Sequence, residues 1–129
     1  MSTEQLEVLE QLGRRAVACK HWRWKPGMLS NKGLRVTRCD DDGYVVGYYE
    51  HLSYIAECVK GSTPDFSDSP TVGALFYLVR AAWGPTVYLI AQGGWLVQGA
   101  RLPDGSTINL GICRPTEVEA LVAALEAAP

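Results

Sequence analysis

Residues 64–84 read Pro-Asp-Phe-Ser-Asp-Ser-Pro-Thr-Val-Gly-Ala-Leu-Phe-Tyr-Leu-Val-Arg-Ala-Ala-Trp-Gly. This stretch contains a whole helix with its own start and stop. Asp68 is the expected N-cap, because its carboxylate can accept from an otherwise unpaired amide of the first turn. Ser69 and Pro70 follow in that turn, where a missing N–H does no harm. Val72, Leu75, Phe76, Val79, Ala82 and Trp83 recur at helical spacing and form the expected buried face. Gly84 can take up a left-handed conformation beyond the last turn, and Pro85 forbids continuation. Gly73 inside the helix is a cost unless something packs closely there.

Upstream, Ser2 through Lys20 reads as an amphipathic helix. Ser2 and Gln5 have capping-box spacing. Leu6, Leu9, Leu12, Ala16 and Val17 make its apolar stripe. Glu4, Glu7 and Glu10 come early and Arg14, Arg15 and Lys20 late, which matches the helix dipole. A loop, HWRWKPGMLSNKG, spans residues 21–33. Strands are expected over Leu34–Cys39 and Tyr44–Tyr49, joined by a turn at Asp40–Gly43. Leu52–Val59 reads as a third strand, with a short helix as the alternative. Downstream, Thr86–Ala91 and Trp95–Gln98 flank a Gln92–Gly94 turn. Pro103–Ser106 marks a second hairpin. A last helix starts at Thr116, three residues before Glu119, with Val118, Leu121, Val122 and Leu125 as its stripe.

This order predicts one α+β domain over residues 1–129, a single antiparallel sheet with three helices packed mainly on one face. The apolar fraction of 47% suits one folded core rather than a disordered chain. A formal net charge of −2 argues against non-specific nucleic-acid binding, which needs Lys and Arg to neutralise phosphates. No apolar run approaches the ~20 residues that span a bilayer, so no membrane association is expected. The acidic, amphipathic start is unlike a signal peptide. Cys19, Cys39, Cys58 and Cys113 are scattered without the paired spacing of a zinc site, so no metal or other cofactor is expected. Reduced thiols in a cytoplasmic protein fit best.

Two places attract chemical attention. In Trp22-Arg23-Trp24-Lys25-Pro26-Gly27-Met28, flat aromatic surface alternates with cations. That combination can grip a purine base and its phosphate, or a partner side chain; the plainer reading has one tryptophan filling the core. Tyr49, Arg80 and Trp83 are the other candidate contacts. In Asp65-Phe66-Ser67-Asp68 two carboxylates could hold a metal or act as an acid–base pair. Capping and turn hydrogen bonds explain them more simply. Arg80 could equally salt-bridge to a carboxylate. No nucleophile elbow, P-loop or dinucleotide fingerprint occurs, so the chain reads as a non-enzyme.

The combination of W-x-W-x-x-G-M at residues 22–28, P-D-[LF]-S-D at 64–68, T-x-G-x-L-x-x-L-V-R-x-A-W-G at 71–84 and the tail at 115–128 resembles a group of small proteins from tailed bacteriophages and prophages. The match covers about a third of the chain, and the central motif is its most specific part. Ser69-Pro70 stands where the group has Pro-Ala, which moves the proline one step inward and leaves the cap intact. The resemblance implies a phage protein acting in the host cytosol. It brings no activity and no site residues. Two functions follow as expectations. One is a binder that counters host defence by sequestering a nucleotide-derived signal at Trp22, Arg23, Trp24, Lys25, Met28, Tyr49, Arg80 and Trp83. A homo-oligomer would help so small a domain enclose such a ligand. The alternative is a protein-binding inhibitor of a host enzyme, or an accessory phage protein, using the same aromatics.

Overall fold

The computed structural model describes residues 2–39, 45–50, 52–59, 61–108 and 110–129, with 52–57 described by their backbone. Three helices are present among them: α1 (Thr3–Val17), α2 (Ser69–Trp83) and α3 (Glu117–Ala127). The strands are β1 (Leu34–Cys39), β2 (Val45–Tyr49), β3 (Leu52–Cys58), β4 (Tyr88–Ala91), β5 (Trp95–Gln98), β6 (Ala100–Arg101), β7 (Thr107–Ile108) and β8 (Ile112–Arg114). The fold is α+β. The expected turn at Asp40–Gly43 lies outside the described residues.

The expectation of a single sheet is not met. The strands form a β1-β2-β3 meander, a separate β4-β5-β8 sheet and a two-stranded β6-β7 ribbon, all antiparallel. One cause is local. Gly99 interrupts the run from Trp95 to Arg101 at φ +82°, and a Cβ there would lie 2.7 Å from the Thr86 carbonyl oxygen. The chain therefore bends between β5 and β6 where only glycine fits.

The helices are not a layer on one sheet face either. α3 is buried nearly all round: Val118, Ala120, Leu121, Val122, Ala123, Ala124 and Leu125 are all inside. It contacts α1, α2, β5 and β8. The alanines give it little girth, so four neighbours can approach it. Its expected stripe is thus only part of its buried surface. The helices run in one direction: Arg15 near the end of α1 pairs with Glu126 near the end of α3. Trp83, at the end of α2, donates its indole N–H to Ala124 of α3 at 2.8 Å. The first turns of all three gather accordingly at one end.

The caps form as the sequence predicts. Ser2 and Gln5 make a full capping box on α1, and the Thr116 hydroxyl accepts from Glu119 N–H. Gly84 does end α2 at positive φ (117°), but its ψ of 156° is extended rather than left-handed helical, so the chain leaves α2 straight towards β4. On α2 the buried face comprises Thr71, Leu75, Leu78 and Val79, while Val72, Phe76, Ala82 and Trp83 are half-buried. The face is turned towards Leu78 because Thr71 is drawn inward by polar partners.

Those partners join the first sheet to α2. The Asp68 carboxylate accepts from Thr71 N–H (3.2 Å) and Thr71 Oγ1 (2.7 Å), and from both ends of the Arg35 guanidinium at 2.6 and 3.1 Å. Arg35 also donates to the Gly27 carbonyl (3.0 Å) and to Glu50 (2.7 Å). Thr71 Oγ1 accepts from Leu29 N–H at 2.8 Å. Residues 27–30 pair along β1, through Gly27 N–H to Val36 O and Ser30 N–H to Leu34 O. Residues 63–65 pair with 29–31 in turn.

Burial alone would raise the Asp68 pKa, but the hydrogen bonds from Arg35 and Thr71 outweigh it and hold the carboxyl below its usual range. A depressed carboxylate pKa stabilises the fold above the unfolded value and loses that contribution as pH falls through the folded one. We expect Asp68→Ala to cost about 2–3 kcal/mol, combining a lost cap with a mostly covered arginine left to Glu50 and the Gly27 carbonyl alone. Asp68→Asn keeps a capping oxygen and should cost about half that. Urea melts at neutral and acid pH check both, and the acid-induced loss should shrink in the asparagine variant.

Candidate functional site

The segment that carries Trp22 to Met28 leaves α1 and returns along β1. Its side chains separate into two groups. Trp22 is only 7% exposed and belongs to the core. Its ring meets Trp24 edge-on at 5.4 Å and Phe66 edge-on at 6.5 Å. Its Nε1 is buried without a hydrogen-bond partner among the described residues. Met28 is fully buried, and its sulfur accepts from Lys25 N–H at 3.3 Å. These two nominated contacts fill the interior instead: Trp22 packs on Phe66, and the turn at Pro26–Gly27, closed by Met28 N–H on the Lys25 carbonyl, returns Met28 to the core.

The others sit nearer the surface. Arg23 is exposed and its Nη1 donates to the Lys20 and Trp22 carbonyls at 3.1 and 2.6 Å. Trp24 is half-buried against the core, and its carbonyl accepts from the Cys39 thiol at 3.1 Å. Lys25 is half-buried, with Nζ 5.1 Å from the centre of the Tyr77 ring. Tyr77, from the outer face of α2, is 59% exposed. Lys25 and Tyr77 therefore make a cation–aromatic pair at the surface, while the Trp24 ring packs on Trp22 and keeps only part of its surface open.

Tyr49, Arg80 and Trp83 do not join it. Tyr49 on β2 is half-buried against the core. Arg80 donates Nε to the Val87 carbonyl at 2.9 Å, and its guanidinium lies 4.5 Å over the Phe76 ring. The salt bridge weighed for Arg80 is replaced by these contacts. Trp83 is half-buried and spends its N–H on α3, as described above. The principal clefts among the described residues are lined by none of the eight nominated side chains.

The aspartate pair behaves as local structure. Asp65 accepts from the Ser67 N–H and hydroxyl at 3.0 and 2.6 Å, a turn contact. Asp68 is committed to Arg35 and Thr71, and its lowered pKa is the wrong direction for a general acid. No three potential metal ligands cluster among the described residues. Burial raises the Cys19 thiol pKa, and its Sγ donates to the Arg15 carbonyl at 3.3 Å, so it is not an activated thiolate. His51, a partner considered for Cys58, lies outside the described residues.

A wide concavity lies elsewhere. The first turns of α1 and α3 part to leave an open groove of about 870 Å³. Val8, Leu9, Leu12 and Val118 line it, with Glu4 and Glu119 among its polar residues. Sequence reading treated both helices as core-facing stripes and passed over this groove. Its signal was Val8, an apolar residue off the α1 stripe. Tyr77 was missed for the same reason, as an aromatic on the polar side of α2.

No protein-family model, curated protein or solved structure matches the chain. No helix among the described residues is long and apolar enough to cross a membrane.

Trp22 and Trp83 offer a controlled comparison. Trp22→Phe removes a buried N–H that no described residue accepts, so the relief of about 1–3 kcal/mol offsets part of the lost ring volume. Trp83→Phe instead strands the Ala124 carbonyl. We expect thermal unfolding to show the Trp83 change as the more destabilising, although Trp22 is the more buried residue.

Proposed function

We propose that this chain is a phage-encoded, non-enzymatic protein-binding module of the host cytosol, acting on a host defence enzyme or as an accessory to another phage protein. The observation that carries this reading is the exposed Tyr77 ring with Lys25 over it, and Trp24 partly open in the same loop as Lys25. Tryptophan and tyrosine are among the side chains that most often dominate protein interfaces, because they combine large contact area with few rotatable bonds. Tyr77 lies in water rather than around a cavity. A nucleotide needs an enclosing site with convergent polar groups. The residues nominated for one are dispersed, with Trp22 and Met28 in the core and Arg80 and Trp83 held by backbone carbonyls. The geometry therefore favours the protein-binding alternative over sequestration of a nucleotide-derived signal.

Phage origin rests on the resemblance at residues 22–28, 64–84 and 115–128. A cytosolic setting rests on the sequence, whose four scattered cysteines lack the framework of a disulfide-built secreted domain. The cations at Arg23 and Lys25 suit an acidic partner surface.

The test is capture of a partner from phage-infected, defence-active cells, its identification by mass spectrometry, and calorimetry with the purified pair. Tyr77→Ala and Trp24→Ala should each weaken that complex by about tenfold or more. Tyr77→Ala should leave the melting temperature within about a degree or two, since that ring is mostly in water. A large thermal shift with a nucleotide, and no stable protein complex, would restore the sequestering function instead.

A further inference from the structure

The α1–α3 groove has features that the Lys25–Tyr77 pair does not explain. Val8 on α1 is 44% exposed. Val8, Leu9, Leu12 and Val118 make the apolar lining, while Glu4, Glu117 and Glu119 supply three carboxylates and no lysine or arginine lines it. On the other side of the first turn of α3 lies a second cleft of about 400 Å³, between α3 and α2. Phe66, Val72 and Gly73 line it, and it shares Glu117 and Val118 with the first. The two clefts thus flank one ridge and form a continuous surface.

Gly73 is the independent observation. It sits in the interior of α2, exposed, and a Cβ added there would meet nothing within 4 Å. Glycine in a helix interior costs about 1 kcal/mol relative to alanine. Gly13 and Gly47 have intrachain reasons, since a Cβ at either would come within 3.0 Å of a neighbour. Gly73 has none within the chain. A helix glycine beside an open cleft leaves room for the close approach of something outside the chain.

We propose that this end of the helices docks a basic amphipathic helix of another protein. Its apolar face fills the α1–α3 groove, its lysines or arginines face Glu4, Glu117 and Glu119, and its flank passes over the notch at Gly73. The groove follows α1 from Ser2 to Leu12, about 15 Å at 1.5 Å per residue, which matches anchors at i, i+3 or i+4 and i+7 of a docked helix. Charge selects against the other occupants. Nucleic acid and anionic lipid would meet carboxylates, and a second copy laid groove to groove would bring the same carboxylates against these. This surface shares no residue with Trp24, Lys25 and Tyr77, so it stands or falls separately from the function proposed above.

The probe is a fluorescent synthetic peptide of about 18 residues with leucines along one helical face and lysines on both flanks, beside a twin carrying glutamates instead. Anisotropy at near-physiological salt should show saturable one-to-one binding of the lysine peptide and none of the glutamate twin. Val8→Asp should weaken binding at least about tenfold, and the paired change Glu117→Gln with Glu119→Gln by several-fold. Gly73→Ala should raise the melting temperature and at the same time weaken the peptide, a pairing that a merely structural glycine would not give. Tyr77→Ala should leave peptide binding unchanged. Equal binding of both peptides, no binding, affinity unmoved by Val8→Asp or by Gly73→Ala, or self-association of the protein abolished by Val8→Asp would each overturn the proposal. If Val8→Asp does not fold, the glutamine pair and Gly73→Ala decide it.

Discussion

One carboxylate holds two parts of the molecule in register. Asp68 closes the first turn of α2 and, through Arg35, fixes the β1 strand against that helix. Arg35 in turn holds the Gly27 carbonyl, so the bend after the tryptophans is tied to the same point. Each group in the set has its partners: both carboxylate oxygens, the guanidinium, the Thr71 hydroxyl and the Leu29 amide. A half-buried polar network is stabilising only when complete, because any member left alone keeps its desolvation cost. Removing one would loosen the sheet, the helix start and the aromatic loop together.

The second organising element is α3, which is covered on most of its circumference by α1, α2 and the β4-β5-β8 sheet. Its alanines are what make this arrangement available. Larger side chains at Ala120 or Ala124 would push a neighbour away, and close packing gives little room to relax. Its two ends reach water, through Thr116, Glu117 and Glu119 in the first turn and Glu126 and Ala127 in the last. The cap and two of its three acidic residues lie at the positive end of the helix dipole, and Glu126 at the other end is paired with Arg15.

Local chemistry was legible in the sequence, and assembly was not. The caps at Ser2, Asp68 and Thr116, the stop at Gly84-Pro85 and the strand at Leu52–Cys58 all follow from short-range rules about amides, φ angles and side-chain spacing. The separation of the β6-β7 ribbon from the β4-β5-β8 sheet does not, since it depends on a bend at Gly99 whose reason is the Thr86 carbonyl, thirteen residues away. The role of α3 was hidden because an alanine-rich helix scores as a modest stripe while its small residues are all contact surface. For the site, alternation in the Trp22–Met28 segment announced that some side chains would point inward, yet not which. The deciding neighbours, Phe66 for Trp22 and Tyr77 for Lys25, come from distant parts of the chain. Arg35 gave no sign of its role, as an arginine on a strand reads simply as solvent-facing.

Helices that lie side by side and point the same way cannot be joined by a short hairpin. The chain must travel back between them, and it does so through residues 18–68 and again through 84–116. As a result α1 finds its main helical neighbour in an element about a hundred residues further along. During synthesis the face of α1 that meets α3 stays uncovered until α3 has been made, and the contacts between them are far apart along the chain. Such topologies reach the native state slowly compared with simple helical bundles. For that interval the uncovered face of the first helix is the nascent chain's exposure to aggregation.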